Sequence, residues 1–171
     1  MTLKQYQRKK ISKICSYEAY IWLQNWIAEY RERKYPEAAK TGYFTIKPEE
    51  YFYKNTLHRE YFSKFLESVI VDVLNKSGHI AKKVETAGVP IVAKSGKTIR
   101  VPGNRKVNKG EPDVFSLING KMVYWEVKIG ADRLSADQKI YIERVEKSGG
   151  IVFVVKTVDE FIKNYSELCK Q

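Results

Sequence analysis

Residues 112–128 read PDVFSLINGKMVYWEVK, and this stretch decides the fold. Apolar runs flank Asn119-Gly120, the dipeptide that most often forms a two-residue β-hairpin turn. A two-residue loop at this position fixes the hairpin register, and that register places Asp113 directly opposite Glu126. We therefore predict two antiparallel strands that carry two facing carboxylates, with Cβ atoms roughly 4.5–5.5 Å apart.

Facing carboxylates repel each other, and partial burial increases the cost unless a positive charge lies between them. Because side chains alternate along a strand, Glu126 and Lys128 leave on one face, whereas Trp125 and Val127 point to the opposite face, into the core. Mg²⁺ and Mn²⁺ prefer hard carboxylate oxygens and keep room for water and a substrate phosphate. The pattern thus favours a divalent-cation site on Asp113 and Glu126.

The motif Pro112-Asp113, followed by Glu126-Val127-Lys128, resembles that of the PD-(D/E)xK nucleases. Within them it is most similar to the VRR-Nuc and archaeal Holliday-junction-resolvase branch. An apolar helix precedes the hairpin, as in those proteins. After it, Leu134-Ser135-Ala136-Asp137-Gln138 opens a helix that leads to Gly149-Gly150 and an apolar strand. The resemblance covers about residues 57 to 162. It implies an α/β, restriction-endonuclease-like core with a central mixed β-sheet flanked by helices.

The resemblance also implies a role for each site residue. Asp113 and Glu126 would ligate Mg²⁺ or Mn²⁺, and Lys128 would orient or deprotonate the attacking water. Gln138 would support that water or a ligand from the following helix. An acid on the first core helix, about three turns before its closing glycine, is a further expected catalytic and metal-binding residue. Glu67 matches this spacing, with Glu60 as the rival candidate.

Two of these residues have competing structural uses. Ser135 and Gln138 fit a capping box, in which the third helical residue reaches back to the helix start. This use is compatible with a place for Gln138 in the site. Lys128 faces Glu111 in the same hairpin register, so a cross-strand salt bridge competes with its catalytic role.

Periodicity predicts the other elements. We expect a helical extension over residues 1–56 and the nuclease core over 57–171, with Thr2 to Lys13 as a loose arm. The first long helix starts at the N-cap Ser16 and ends before Pro36. The expected later elements are a helix from Tyr61 to Leu74 stopped by Gly78, strands at Val89 to Val92, Thr98 to Val101, Val114 to Ile118, Met122 to Ile129 and Ile151 to Val155, a helix from Ser135 to Ser148, and a helix from Thr157 to Cys169 with a Thr157/Glu160 capping box.

The charge balance favours a polyanionic partner. The 171 residues include 31 Lys and Arg against 20 Asp and Glu, a net charge of +11. Phosphate neutralisation supplies most nucleic-acid affinity, although solubility is an alternative reason for such charge. Between Gly78 and Gly110 the only acid is Glu85, and we predict a phosphate-facing loop or hairpin there. Its basic residues are Lys82, Lys83, Lys94, Lys97, Arg100, Arg105, Lys106 and Lys109.

Several classes of function lack their sequence signatures. Cys15 and Cys169 stand at opposite ends of the chain without metal-ligand spacing, which disfavours a structural zinc site. No glycine-rich phosphate loop is present, so we expect no nucleotide cofactor. No run approaches about 18 apolar residues, and no signal-peptide pattern appears, so we expect a cytoplasmic, nucleoid-associated protein without a membrane partner.

The resemblance implies a metal-dependent DNA endonuclease that hydrolyses phosphodiester bonds and acts on branched, flap or Holliday-junction DNA. A resolvase would act as a homodimer, so that two sites cut symmetric strands. A sequence-specific restriction-type enzyme, or a general DNA end-processing nuclease, fits the same residues. Two readings from other classes stay open: a non-catalytic nucleic-acid-binding module on a nuclease-like fold, and a protein-interaction subunit that docks through its N-terminal helix.

Overall fold

The computed structural model describes residues 2–41, 59–84, 89–92, 98–101 and 109–170. The described helices are α1 (Leu3–Tyr6), α2 (Tyr17–Lys34), α3 (Pro36–Lys40), α4 (Arg59–Lys76), α5 (Ala136–Lys147) and α6 (Val158–Cys169), with a 3-10 turn over Lys10–Lys13. The described strands are β1 (Ile80–Lys83), β2 (Val89–Val92), β3 (Thr98–Val101), β4 (Val114–Ile118), β5 (Lys121–Val127) and β6 (Ile151–Val155). Apart from the N-terminal segment, α3 and β1, which were not predicted, these elements follow the predicted order.

The hairpin of β4 and β5 has the predicted register. The strands are antiparallel and pair from Ile118 with Lys121 to Val114 with Trp125. Asn119 and Gly120 both have positive φ, 50° and 78°, as a type I′ turn requires. Since the ladder runs without a bulge, Asp113 and Glu126 are the next opposed residues beyond its last pair.

The central sheet is mixed, as predicted, with strand order β1-β4-β5-β6. β1 runs antiparallel to β4, and β6 runs parallel to β5. The pattern analysis did not identify β1, which has four residues of which two are lysines and only Ala81 is buried. β2 and β3 form a separate antiparallel pair, which confirms the two predicted strands. The turn expected at Lys94 to Lys97 lies outside the described residues.

The two faces of the sheet differ in cover. On one face, Trp125 is fully buried and its ring lies 5.2 Å from that of Phe161 in α6. Its indole N–H donates to Ser116 Oγ at 2.9 Å, so these two buried polar atoms are paired with each other. The buried stripe of α4 joins the same core; its members include Phe65, Leu66, Val69, Ile70, Val73 and Leu74. α5 covers the opposite face, where the ring centres of Tyr141 and Tyr124 lie 6.1 Å apart. No residue of α5 is buried.

The expectation of a loose N-terminal arm is wrong. Thr2 and Gln5 form a capping box on α1, and Tyr6 is only 1% exposed with its hydroxyl donating to the Cys15 carbonyl at 2.6 Å. The Ile14 carbonyl accepts from Val158 N at 2.8 Å, which ties this segment to the start of α6. The burial was not predicted because the helical elements of this segment have four residues each, too few to show a helical periodicity. The boundary expected at residue 56 lies within 42–58, outside the described residues.

The ends of the later helices follow their predicted caps closely. Ser135 caps α5, and both bonds of its box with Gln138 are present. At α6 only half of the predicted box forms. Thr157 Oγ1 accepts from Glu160 N, but the Glu160 carboxylate accepts from Lys156 N instead of Thr157 N. In the described part of the chain, no helix combines the length and the apolar character needed to cross a bilayer.

Candidate active site

Asp113 lies at the point where three strands of the sheet meet. Its carboxylate Oδ2 accepts from Val127 N in β5 at 2.8 Å. Its main-chain oxygen accepts from Val84 N, just beyond β1, also at 2.8 Å. The backbone of both neighbouring strands therefore fixes the carboxyl group, and the hairpin register brings it to the same end of the sheet as Glu126.

Glu126 is a fully buried acid whose two carboxylate oxygens differ in their contacts. Oε1 accepts from Gln138 Nε2 at 2.5 Å and forms an ion pair with Lys128 Nζ at 2.6 Å. Oε2 is buried and has no hydrogen-bond partner in the described part of the chain. A buried carboxylate oxygen left unpaired is costly, which makes Oε2 the candidate metal-ligand atom of this side chain.

Gln138 serves both of its predicted uses at once. Its side-chain Oε1 accepts from Ser135 N at 2.9 Å, while its backbone N–H donates to Ser135 Oγ at 3.2 Å. The remaining amide group, Nε2, is then free to donate to Glu126. The capping box thus fixes the orientation of the Gln138 side chain, which in turn holds the Glu126 carboxylate.

Gly110 allows the close packing that brings α5 to the site, and the sequence analysis missed it. A Cβ atom at Gly110 would lie 2.3 Å from the Asp137 carbonyl oxygen and 2.6 Å from Gln138 N, and φ is +82°. Only glycine permits both this contact and this backbone conformation. A lone glycine three residues before Asp113 was the available sign, but its partner lies 27 residues further along the chain.

Lys128 leaves β5 on the same side as Glu126, as predicted, and its side chain is 13% exposed. Its ion pair is with Glu126, so the competing bridge to Glu111 is not the arrangement found. Instead, Glu111 interacts with Tyr141. Burial, the Tyr124 hydroxyl and the charge of Glu111 raise the pKa of Tyr141.

Glu67 of α4 lies at the edge of the site formed by Asp113 and Glu126. Its carboxylate forms an ion pair with Lys83 Nζ at 3.2 Å, and the same ammonium donates to Ser68 Oγ at 3.1 Å. Glu67 is close enough to Asp113 for its charge to act on that carboxyl group. The side chain of the rival candidate, Glu60, lies outside the described residues.

Both hairpin acids resist ionisation in the absence of a cation. Burial raises the pKa of Glu126 to about 7, together with the charge of Asp113 and against the ion pair with Lys128. Burial also raises the pKa of Asp113, with a smaller contribution from Glu67, whereas the Val127 N–H and Lys128 lower it. A divalent cation held by both acids would remove their repulsion and would favour their ionised forms.

The available ligand atoms fit an open site for Mg²⁺ or Mn²⁺ better than a site in which protein ligands surround the metal completely. Among the described residues, no three His, Cys, Asp or Glu side chains converge to hold an ion. Mg²⁺ commonly takes one or two carboxylates and completes its shell with waters and substrate phosphate. Asp113 and the unpaired Oε2 of Glu126 supply that kind of open site.

The predicted nucleic-acid-binding residues are described only in part. Lys82, Lys83 and Lys109 have exposed side chains, and Lys83 pairs with Val114 directly beside the site. Lys82 extends on the opposite side of β1, with Nζ 5.9 Å from the centre of the Phe115 ring. The predictions for the other basic residues fall outside the described side chains: Lys94, Lys97, Arg100, Arg105 and Lys106.

A mixed sheet whose central hairpin ends in two acids and a lysine, with a glutamine added from the next helix, is the arrangement of PD-(D/E)xK-like nuclease domains. The family model of the VRR-NUC domain matches residues 49–159, which is more than half of the chain. The chain therefore belongs to the VRR-NUC domain family, a membership that supports a nuclease-like function. A comparison with curated proteins gave no match.

Proposed function

We propose that this protein is a metal-dependent DNA endonuclease that hydrolyses phosphodiester bonds with Mg²⁺ or Mn²⁺ held by Asp113 and Glu126. One observation carries the proposal: Glu126 Oε2 is buried without a hydrogen-bond partner among the described residues, beside a second acid, Asp113, that is half-buried. Folding does not favour such a pair for its own sake, because burial and repulsion both oppose it. Membership of the VRR-NUC family supports the same conclusion.

The described residues divide the chemistry between them. A bound cation would polarise the phosphate and activate water. Lys128 has one contact to Glu126 and two further ammonium hydrogens, with which it can orient water or offset charge on a phosphoryl oxygen. Gln138 and Lys128 both hold Oε1 of Glu126, so Oε2 stays available for the cation. The Val127 N–H holds Asp113 in the same way.

DNA is the substrate that the charge distribution favours. The net charge is +11, and the exposed Lys82 and Lys83 lie on the strand next to the site. A polyanion gains affinity by releasing counterions when such lysines neutralise its phosphates. Clustered carboxylates would weaken the binding of a polyanion unless they hold a cation, which argues for an enzyme over a simple binding module.

The site assignment is tested with Asp113→Asn, which removes the charge and keeps the shape. We expect Mg²⁺-dependent nicking of plasmid DNA to fall by at least about a hundredfold, as for loss of other groups that stabilise a transition state. DNA binding should persist, since no cation of the protein is lost. Asp72→Asn is the matched control, because Asp72 lies on α4 and pairs with Lys76. Full nicking activity in Asp113→Asn would contradict the assignment.

The resemblance to resolvases favours branched DNA as the preferred form of the substrate. Labelled duplex, flap, fork and four-way junction DNA, each incubated with and without Mg²⁺, separate the alternatives. Paired symmetric nicks near a junction would support a structure-selective enzyme that acts as a homodimer. Cleavage of linear duplex at one motif would support a restriction-type enzyme instead. Binding of every form with cleavage of none would support a non-catalytic module.

A further inference from the structure

Lys83 occupies an unusual position at the rim of the site. It is the last residue of the edge strand β1 and pairs with Val114, so it stands one residue from Asp113 along the neighbouring strand. Its ammonium group reaches to α4, where it contacts the Glu67 carboxylate at 3.2 Å and Ser68 Oγ at 3.1 Å. This one side chain therefore links the edge of the sheet to the helix acid.

The two lysines of the site differ in access. The Lys128 side chain is 13% exposed, whereas that of Lys83 is 37% exposed. Of these two ammonium groups, that of Lys83 is the more accessible to a polyanion. That ammonium is already engaged by Glu67, which is itself only 19% exposed. The more accessible of the two site lysines is thus paired with Glu67.

The local charges suggest what would change when a cation binds. Without a cation, the negative charges of Glu67 and Asp113 repel each other, and Lys83 and Lys128 offset them. A divalent cation adds two positive charges to this group. The electrostatic potential at Lys83 then becomes less negative, so a phosphate competes more effectively with Glu67 for the Lys83 ammonium.

We propose that Lys83 is a DNA-phosphate ligand whose availability is controlled by the cation site through Glu67. With no cation, Glu67 holds Lys83 in the ion pair; with a cation bound, Glu67 turns toward the acids and Lys83 contacts a phosphate next to the cleavage position. The inference rests on the proposed function, because it requires the cation at Asp113 and Glu126. Cation and DNA then bind with positive coupling, and each strengthens the other by the same factor.

The coupling is measured as DNA affinity in EDTA and in Ca²⁺, which takes the same oxygen ligands as Mg²⁺. For the unchanged protein, we expect Ca²⁺ to tighten binding of a labelled duplex by about tenfold, within the usual range of coupling between sites. Lys83→Gln should reduce that gain to about threefold or less. Lys82→Gln is the matched control: it removes the same charge from the neighbouring position of β1, and should weaken binding equally with and without Ca²⁺.

Glu67→Gln gives a change of opposite sign. With the acid gone, Lys83 is free without a cation, so affinity in EDTA should rise toward the value that the unchanged protein reaches in Ca²⁺. Asp72→Asn controls for the loss of one negative charge, since Asp72 lies on the same helix and also pairs with a lysine, Lys76. It should change the EDTA affinity far less. Thermal melting of each variant confirms that binding is compared between folded proteins.

Two results would overturn the inference: an equal loss for Lys83→Gln and Lys82→Gln under both conditions, or no gain in EDTA affinity for Glu67→Gln beyond that of Asp72→Asn. Cleavage by the unchanged protein in Mg²⁺ is measured on the same preparation and duplex. If cleavage occurs while either result is found, the inference alone fails. If there is neither cleavage nor any effect of Ca²⁺ on DNA affinity, the proposed function and the inference fail together.

Discussion

Glu126 is the residue at which burial and charge oppose each other most strongly. It has no exposed surface, faces a second acid, and leaves one carboxylate oxygen without a partner. Lys128 and Gln138 compensate only Oε1. Such an acid lowers the stability of the protein without a bound cation, and the proposed metal site gives a reason for its presence.

The raised pKa of Glu126 predicts a pH-dependent stability in EDTA. The carboxyl ionises near 4.5 in the unfolded chain and near 7 in the folded protein. Stability should therefore fall as the pH rises from about 5 to about 7, by about 3 kcal/mol from this group, and stay low above that range. Denaturant unfolding at a series of pH values measures the decrease.

Glu126→Gln should remove most of that pH dependence and stabilise the protein at pH 8 in EDTA. Glu143→Gln is a suitable control, because Glu143 forms an exposed pair with Lys147 on α5. Added Mn²⁺ should stabilise the unchanged protein at pH 8 but not Glu126→Gln, since only the carboxylate binds the ion. An equal loss of stability in Glu126→Gln at pH 5 and pH 8 would contradict this account.

Gly110→Ala tests how α5 is positioned. The new Cβ would overlap the backbone of Asp137 and Gln138, so the first turn of α5 must move and the bond from Gln138 to Glu126 must lengthen. We expect cleavage by the folded variant to fall about 10- to 100-fold, the usual effect of removing a group that orients a metal ligand.

The matched control for Gly110→Ala is Gly78→Ala. Gly78 also has a positive φ, +93°, but a Cβ there would meet nothing within 4 Å. It should lose about 1 kcal/mol or more of stability to backbone strain, as Gly110→Ala also does, while cleavage is retained. Equal cleavage by the two variants would show that the position of α5 does not matter.

Among the elements, the hairpin was predictable from sequence because its register depends on adjacent residues. Asn119 and Gly120 take positive φ, and that turn alone sets Asp113 opposite Glu126. Lys128 followed from the alternation of side chains. The capping box and the family resemblance identified Gln138. These inferences use short sequence separations, where local geometry determines the outcome.

Elements that depend on distant contacts were not predictable in the same way. β1 is short and lysine-rich, and it becomes a strand only because β4 pairs with it. The link between Glu67 and Lys83 follows from that pairing and so was not expected either. The N-terminal segment shows the same limit, since its short helical turns are fixed by burial of Tyr6 and by the bond from Val158 N to the Ile14 carbonyl.

Burial of Tyr6 predicts that the N-terminal segment is essential to stability. Tyr6→Ala should lower the free energy of unfolding by about 3–5 kcal/mol, as truncation of a large buried aromatic side chain does. Tyr6→Phe keeps the ring and loses the hydrogen bond to the Cys15 carbonyl, so it should cost only about 1–2 kcal/mol. Urea unfolding at one pH measures both. A loss below about 0.5 kcal/mol for Tyr6→Ala would mean that this segment is a loose arm after all.

At the scale of the whole molecule, a basic net charge accompanies a small cluster of acids. The net charge of +11 attracts polyanions, whereas Asp113, Glu126 and Glu67 would repel them. The proposed divalent cation would reconcile these two properties, because it would let a phosphate bind at the acidic centre. Substrate binding, the raised pKa values and the unpaired carboxylate oxygen all then have one explanation.

The most direct test is the anomalous diffraction of crystals soaked in Mn²⁺ near pH 8, for the unchanged protein and for Asp113→Asn. We predict one strong Mn²⁺ peak within bonding distance of Asp113 and of Glu126 Oε2, and no such peak in the variant. An absence of Mn²⁺ at these oxygens in the unchanged protein, with Glu126 still held by Gln138 and Lys128, would contradict the central claim.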